Sequence, residues 1–485
     1  MTASSQTYPE VAPAGVTILP AAFEVLGYLA LVAGGALGFQ LGWLGINGAV
    51  ILCTLLLVGV TALAWYRFDE GRHPCFLFLC TLMFFQGGRL LAYCLGAESD
   101  PMRVTVMTPT PFDLSRDQIG IVLLSLALSA ICIYIPCRWS YRRISPPSDA
   151  AVKPYLPYLY LVLAIALPLQ MFKNYRYYQY AQEHGGYTFL WVDHAALASS
   201  VPFFVRAAQL ITVPVFLAIF VFERRKKLVI LATILYFATA SIMLLLGSRA
   251  TTFMLVLVLW YIAKIKSPKR SRILRLAVAV VVLLAAGFAI QQVREESTEQ
   301  IATFTPLKVL DIQGASLSVT EVAVKERALF RPYVGSYLKQ ELLNGFVAND
   351  AATYYRGRDL GFDISVLLNP ALFATGTGIA RSYVAEEYVI AGLTGVVLIS
   401  LLIGAGLHCL HRFSRKLTTL LVVALLLPYV LVMPRNGLLD WASALAQIML
   451  AILVLWVGWL AYSFVFPFKP AGVPAPLAPA TGASS

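Results

Sequence analysis

Along the chain, apolar positions gather into long runs separated by shorter polar breaks. A helix needs about 20 mostly apolar residues to cross a bilayer. Runs of that size fall at about 22–43, 46–66, 75–95, 118–138, 155–171, 201–222, 227–246, 250–265, 273–290, 384–408, 417–433 and 439–466. The pattern predicts an all-α, polytopic membrane protein with about 12 transmembrane helices and a large external loop. Residues 21–467 read as the membrane domain. The flanks, 1–20 and 468–485, are rich in Pro, Ala, Ser and Thr and read as disordered tails. The longest break, about 291–383, has helical patches (Gln291 to Glu299, Val319 to Tyr337) but no repeat and no nucleotide loop. Long ordered segments between spans usually carry function.

Composition narrows the class. Of 485 residues, 59% are hydrophobic and 13% charged, with a mean hydropathy of +0.75. A soluble chain is about half apolar and a quarter charged. That excludes a soluble enzyme, a disordered chain and a disulfide-stapled secreted domain. The seven cysteines include no CxxC pair and no Cys/His cluster in sequence, so neither a disulfide framework nor a zinc site is expected. The first residues lack the basic start of a signal peptide and read as retained.

The net charge of +12 bears first on orientation, not on nucleic acid. Basic clusters follow the fourth span (Arg142, Arg143), the sixth (Arg224 to Lys227), the eighth (Lys264, Lys266, Lys269, Arg270, Arg272) and the tenth (Arg412, Arg415, Lys416). Basic loops stay in the cytoplasm, so both termini are expected there, and the 291–383 loop outside.

Several arginines sit inside or at the outer ends of spans: Arg89, Arg206, Arg249 and Arg435. Each alone reads equally well as an interfacial anchor that snorkels. Together, at one depth, they suit an anion, because guanidinium forks match phosphate oxygens in pairs. In Leu246-Gly-Ser-Arg249, Ser248 is placed to cap the next helix and Arg249 to stand at its N-terminus, where anions are favoured. An ordinary tight turn is the alternative. Arg381, Glu386, Glu387 and Tyr388 precede an apolar helix. A carboxylate there is desolvated, and serves either as a base toward a sugar hydroxyl or as partner to an arginine, pairing being the commoner fate. Arg435 and Asp440 share the last external turn, bound to each other or aimed together at a phosphate. The tyrosine-rich Asn174 to Tyr180 reads as an interfacial belt or a sugar-stacking surface. Arg331-Pro-Tyr and Tyr354 to Arg358 mix aromatic and guanidinium groups, which suits carbohydrate. No DxD-type metal pair and no nucleophile–histidine–acid series stands at an interpretable spacing, so no metal and no cofactor are expected.

Three stretches resemble the Wzy family of bacterial O-antigen and related polysaccharide polymerases. Leu246-Gly-Ser-Arg249 is similar to a Gly-(Ser/Thr)-Arg signature ending a middle span. Gly376 to Gly395 is similar to its glycine-rich approach, polar pair, tyrosine and glycine-containing span. Arg435-Asn-Gly-Leu-Leu-Asp440 is similar to its Arg-Xaa-Gly turn before the last span. The resemblance implies a glycosyltransferase of the membrane-embedded GT-C class, in the bacterial inner membrane, with its active face in the periplasm. It implies transfer of a growing glycan from undecaprenyl diphosphate to the non-reducing end of a new carrier-linked repeat unit. That transfer would be inverting and metal-free, beside a Wzz-type chain-length co-polymerase. On that reading Arg249 and Arg435 hold the diphosphate, with Arg89, Arg206 and Arg381 as further candidates. Glu386 or Glu387 is the base, and Ser248, Arg331, Tyr388 and Asp440 line the substrate. The partners are then a carrier-linked oligosaccharide and membrane lipid, with no nucleic acid. Two alternatives remain open. An O-antigen ligase usually employs an external histidine, and only His184 and His194 offer one. A flippase is expected to show pseudo-repeated halves, and none is found.

Overall fold

In the computed structural model of the protein, the described residues are 18–104, 108, 112–139, 141–144, 147, 155–184, 192, 194–245, 249–267, 306–343 and 354–466. They are helical apart from turns and one isolated bridge, Val104 to Phe112. In chain order the helices are α1 (Ile18–Gln40), α2 (Ile46–Arg67), α3 (Pro74–Phe85), α4 (Gly88–Cys94), α5 (Arg116–Trp139), α6 (Leu156–Glu183), α7 (His194–Ser199), α8 (Phe203–Phe222), α9 (Lys226–Leu245) and α10 (Arg249–Lys266). After residue 305 come α11 (Pro306–Gln313), α12 (Ser316–Lys325), α13 (Arg327–Phe330), α14 (Val334–Leu343), α15 (Leu360–Leu368), α16 (Pro370–Ala374), α17 (Tyr383–Ala391), α18 (Leu393–Phe413), α19 (Leu417–Leu431) and α20 (Asp440–Val465).

Among the described residues, 8 helices are long and apolar enough to cross a membrane: α1, α2, α5, α6, α8, α18, α19 and α20. The pair α3 and α4 passes the same length and hydropathy criteria when taken as one span bent by 67°. Helices α9 and α10 occupy the places of the seventh and eighth apolar runs. The run at 273–290 lies outside the described residues, as do 1–17, 291–305, 344–353 and 467–485; residues 18–20 of the expected tail begin α1. Two expectations change in detail. The apolar run at 384–408 is divided at Gly392, whose φ of +65° is open to glycine, so α17 and α18 are separate helices. The fifth apolar run, expected to end near 171, extends further: Asn174 to Tyr180 continues α6 as far as Glu183.

Contacts across the bundle show how the helices alternate. Tyr158 donates to the Leu455 carbonyl (3.0 Å), Tyr160 to Glu223 (2.6 Å) and Lys266 to the Phe220 carbonyl (2.9 Å). Tyr261 bonds Ser414 (2.8 Å), Lys264 pairs with Glu70 (3.4 Å) and His411 bonds the Arg142 carbonyl (3.3 Å). The basic clusters at 142–143, 224–227, 264–266 and 412–416 therefore share one end. Helices α11 to α16 form a platform at the other.

The platform is fused to the bundle. Its apolar core joins Val319, Val322, Phe330, Leu360 and Ile364 to Ala385 and Val389 of α17. Helix α11 lies directly on α4, where a Cβ at Gly88 would stand 2.7 Å from the Leu310 carbonyl oxygen. The break between α3 and α4 is pinned as well. Gln86 donates to Ser382 (2.9 Å) and to the Pro434 carbonyl (2.5 Å), and Thr320 bonds Ser382 (3.0 Å). One buried amide thus ties together the bent span, the start of α17 and the turn before α20.

Candidate active site

The turn before α20 is the centre of a cluster of carboxylates around one guanidinium. Arg381 pairs with Asp440 (2.6 Å), Glu341 (3.2 Å) and Asp359 (3.3 Å), and also acts electrostatically on Glu386. The turn itself supplies donors. Gly437 N–H bonds Asp440 (3.2 Å), Leu438 N–H bonds Glu386 (2.6 Å) and Leu439 N–H bonds Glu341 (2.7 Å). Glycine at 437 is required by crowding: a Cβ there would collide with the Glu341 carboxyl and stand 2.7 Å from Arg381 Nη1. Ser382 starts α17 by accepting from Ala385 N–H, which aims Glu386 back at the turn.

Four carboxylates around Arg381 cannot all ionise without mutual repulsion. Burial pushes the Glu341 carboxyl up, against the pull of Arg381. Glu341 and Glu386 lie against each other within hydrogen-bond reach, so their two buried carboxyls can share one proton. Glu386 also borders a cavity of about 10 Å³, no larger than one water, with Tyr337, Leu360 and Val389. This is where a proton can be held or exchanged. Glu387, one residue on, points elsewhere. It accepts from Ser400 (3.1 Å), which bonds Ser129 (2.8 Å), which bonds Tyr383 (2.7 Å), all buried. That chain joins α5, α17 and α18.

The arginines divide. Arg89 is 3% exposed and fully occupied: it pairs with Asp311 (3.2 Å) and bonds Ser318 (2.8 Å) and the carbonyls of Asp100 and Arg103. Arg381, expected as a further candidate for the diphosphate, is spent on carboxylates instead. Arg435 is half-buried, donates to Gln313 of α11 (2.8 Å) and lies 5.6 Å from the Phe85 ring centroid. Arg89 and Arg435 therefore both bond α11, at Asp311 and Gln313. Arg331 is exposed on the platform. Tyr388 is packed by Arg327, which also bonds its carbonyl (3.0 Å). Arg206 stands apart in α8. Arg249 begins α10, but its side chain and Ser248 lie outside the described residues, and so does the side chain of His194. Exposed His184 stacks on Tyr180, 4.0 Å between centroids.

The sequence matches the family described as O-antigen polysaccharide polymerase Wzy over residues 29–464, nearly the whole chain. The chain belongs to the Wzy family. Neither the curated proteins nor the solved structures provide a match. A Wzy-family chain works in a membrane on a lipid-linked oligosaccharide, and these apolar helices are those of a multi-pass membrane protein. Sequence reasoning had named Arg381, Glu386, Arg435 and Asp440, four members of this corner. It missed Glu341 and Asp359. Neither belongs to a motif, and Glu341 lies 40 residues from Arg381 and 98 from Leu439. It also missed Glu321 of α12, which is fully buried, 4.0 Å from Arg89, and pushed up to about 7 by burial.

Proposed function

We propose that this protein polymerises carrier-linked repeat units at the membrane face bearing the α11–α16 platform. A hydroxyl at the non-reducing end of one undecaprenyl-diphosphate-linked unit attacks the anomeric carbon of a second, growing chain. A carbon–oxygen bond forms as the bond to the diphosphate breaks, and the diphosphate leaves with the electron pair. Glu386 takes the hydroxyl proton. Between the two adjacent glutamates it is the better candidate, because it faces the turn at 437–439 beside the Arg381 cluster. A base must come within hydrogen-bond reach of the proton it removes. Glu387 holds α17 to α5 and α18 instead.

Arg435 and Arg249 take the developing charge on the diphosphate. One preorganised donor of this kind contributes roughly 2.7–4 kcal/mol. Attack opposite the leaving group makes the reaction inverting, and the arginines do without a metal. The wider reading comprises about 12 spans of GT-C type, both termini in the cytoplasm, the platform in the periplasm of the inner membrane, and a Wzz-type co-polymerase setting chain length. Tyr388, Arg331 and Ser248 are further contacts for the glycan or its carrier.

The observation that carries this reading is the match to the Wzy family together with a buried carboxyl–guanidinium corner built on its last external turn. The decisive experiment mixes purified protein with carrier-linked repeat units and resolves the products on a gel. A ladder is expected, and Arg435→Ala or Arg249→Ala should leave single units unextended. Transfer only to lipid A would instead make the protein a ligase.

A further inference from the structure

Away from the carboxylate corner, α6 and α8 bring two cations together. Lys173 of α6 is 4% exposed. Its ammonium donates to Gln209 of α8 and lies 4.7 Å from the Tyr177 ring centroid. Arg206 stands one turn before Gln209 on α8, as Tyr177 stands one turn after Lys173 on α6. Its charge acts on both Lys173 and Tyr177. The Arg206 guanidinium lies 5.9 Å from the Phe203 ring centroid, and its buried Nε has no acceptor. Among the described residues no carboxylate pairs with either cation.

Two further facts concern sign and depth. Helix α8 begins at Pro202 without a side-chain cap, so the positive end of its dipole adds to the two charges. Lys173 is 17 residues beyond Leu156, a rise of about 26 Å against a hydrocarbon core of about 30 Å. Taking Leu156 as one edge of the apolar core puts Lys173 near the other edge, where lipid phosphates lie. Two neighbouring cations at such a boundary are costly unless an anion joins them.

We propose that Lys173, Arg206 and the start of α8 form a receptor for a lipid-borne diphosphate, and hold the carrier of the second of the two substrates. The identity of the carrier rests on the polymerase reading; the anion site does not. Polymerisation needs two carrier-linked chains at once, and one diphosphate site at the Arg435 turn serves only one of them.

The test is a binding titration of the full chain in phosphatidylcholine nanodiscs, which needs no turnover. The probes are undecaprenyl diphosphate, phosphatidylglycerol and inorganic pyrophosphate. Undecaprenyl diphosphate should bind the native chain most tightly, and the double variant Lys173→Met, Arg206→Met should bind it more weakly by roughly 100-fold. Lys173→Arg should retain binding, which separates loss of charge from loss of packing. Unchanged binding by the double variant, at an unchanged melting temperature, would overturn the site. Equal affinity for phosphatidylglycerol would overturn its assignment to a diphosphate, and equal affinity for free pyrophosphate would overturn the lipid's part in it. A protein that makes no ladder yet loses carrier binding in the double variant would sink the polymerase reading and keep the site. A ladder with carrier binding untouched would do the reverse.

Discussion

Glu321→Gln is a sharp test of the electrostatics under the platform. Glu321 sits on α12 with no exposed surface, 4.0 Å from Arg89 and close to the Ser318 hydroxyl. Burial raises its pKa from 4.5 to about 7, against the opposing pull of Arg89 and a hydrogen bond from Ser318. The folded value thus lies above the unfolded one. Between about pH 4.5 and 7 the folded chain keeps a proton that the unfolded chain has released, so stability falls as pH rises through that window. Above it the ionised group costs on the order of 3 kcal/mol. Glutamine has the same shape and no charge, and removes the cost. Wild type and variant, melted in detergent at pH 4.5 and at pH 8, should unfold together at the lower pH. At the higher pH the variant should unfold a few degrees later. If the variant melts at or below the wild type at pH 8, the ionised Glu321–Arg89 pair is a net favourable bond, and the reasoning from burial fails.

The corner before α20 yields the remaining predictions. Gly437→Ala should displace the turn, because its methyl group collides with Glu341 and crowds Arg381; polymer ladders should disappear and the melting temperature fall. Arg381→Met strips the partner from Glu341, Asp359 and Asp440, a loss of about 3–5 kcal/mol for a broken buried pair, visible as reduced monodisperse protein on size exclusion. Arg435→Ala, by contrast, should leave the elution profile unchanged while abolishing chain extension. Glu387→Gln keeps an acceptor for Ser400 and should retain most activity, whereas Glu386→Gln should lose it; equal loss in both would move the base to Glu387 or remove it from α17.

Eleven of the apolar runs coincide with helices, because burying a hydrocarbon-facing helix leaves a period and a length that any chain must display. What spacing did not reveal lies where a helix stops for a tertiary reason. The 67° break after Phe85 answers to Gln86, whose amide bonds Ser382 and Pro434, residues 296 and 348 positions away. The extension of α6 through its tyrosines has a similar cause, since Asn174 bonds the Thr239 carbonyl of α9 and Lys173 bonds Gln209. The candidate site was legible to the same extent. Residues inside one turn, such as Arg435, Gly437 and Asp440, could be grouped by eye. Glu341 and Asp359 could not, because nothing in a platform without a motif says which acids turn inward. A signal for Lys173 did exist: a lone cation closing the run that begins at Tyr155 must be anchored or paired.

The division among the cations decides where an anionic substrate can be received. For a diphosphate to bind Arg381 it must displace three carboxylates, Asp440 and Glu341 fixed by the turn's own N–H groups and Asp359 by Phe362 N–H. Each charge-assisted bond lost costs about 1.5–3 kcal/mol, and the displaced acids stay buried. Arg89 is in the same position, locked to Asp311, Ser318 and two carbonyls. Those two guanidiniums therefore shape the platform and the last turn, and an anion gains little by competing for them. Lys173 and Arg206 sit in the opposite situation, with a neutral amide and aromatic rings for company. A diphosphate arriving there removes a repulsion instead of breaking a bond. Position along the membrane normal made all these cations look alike; the acids around each of them separate scaffold from receptor.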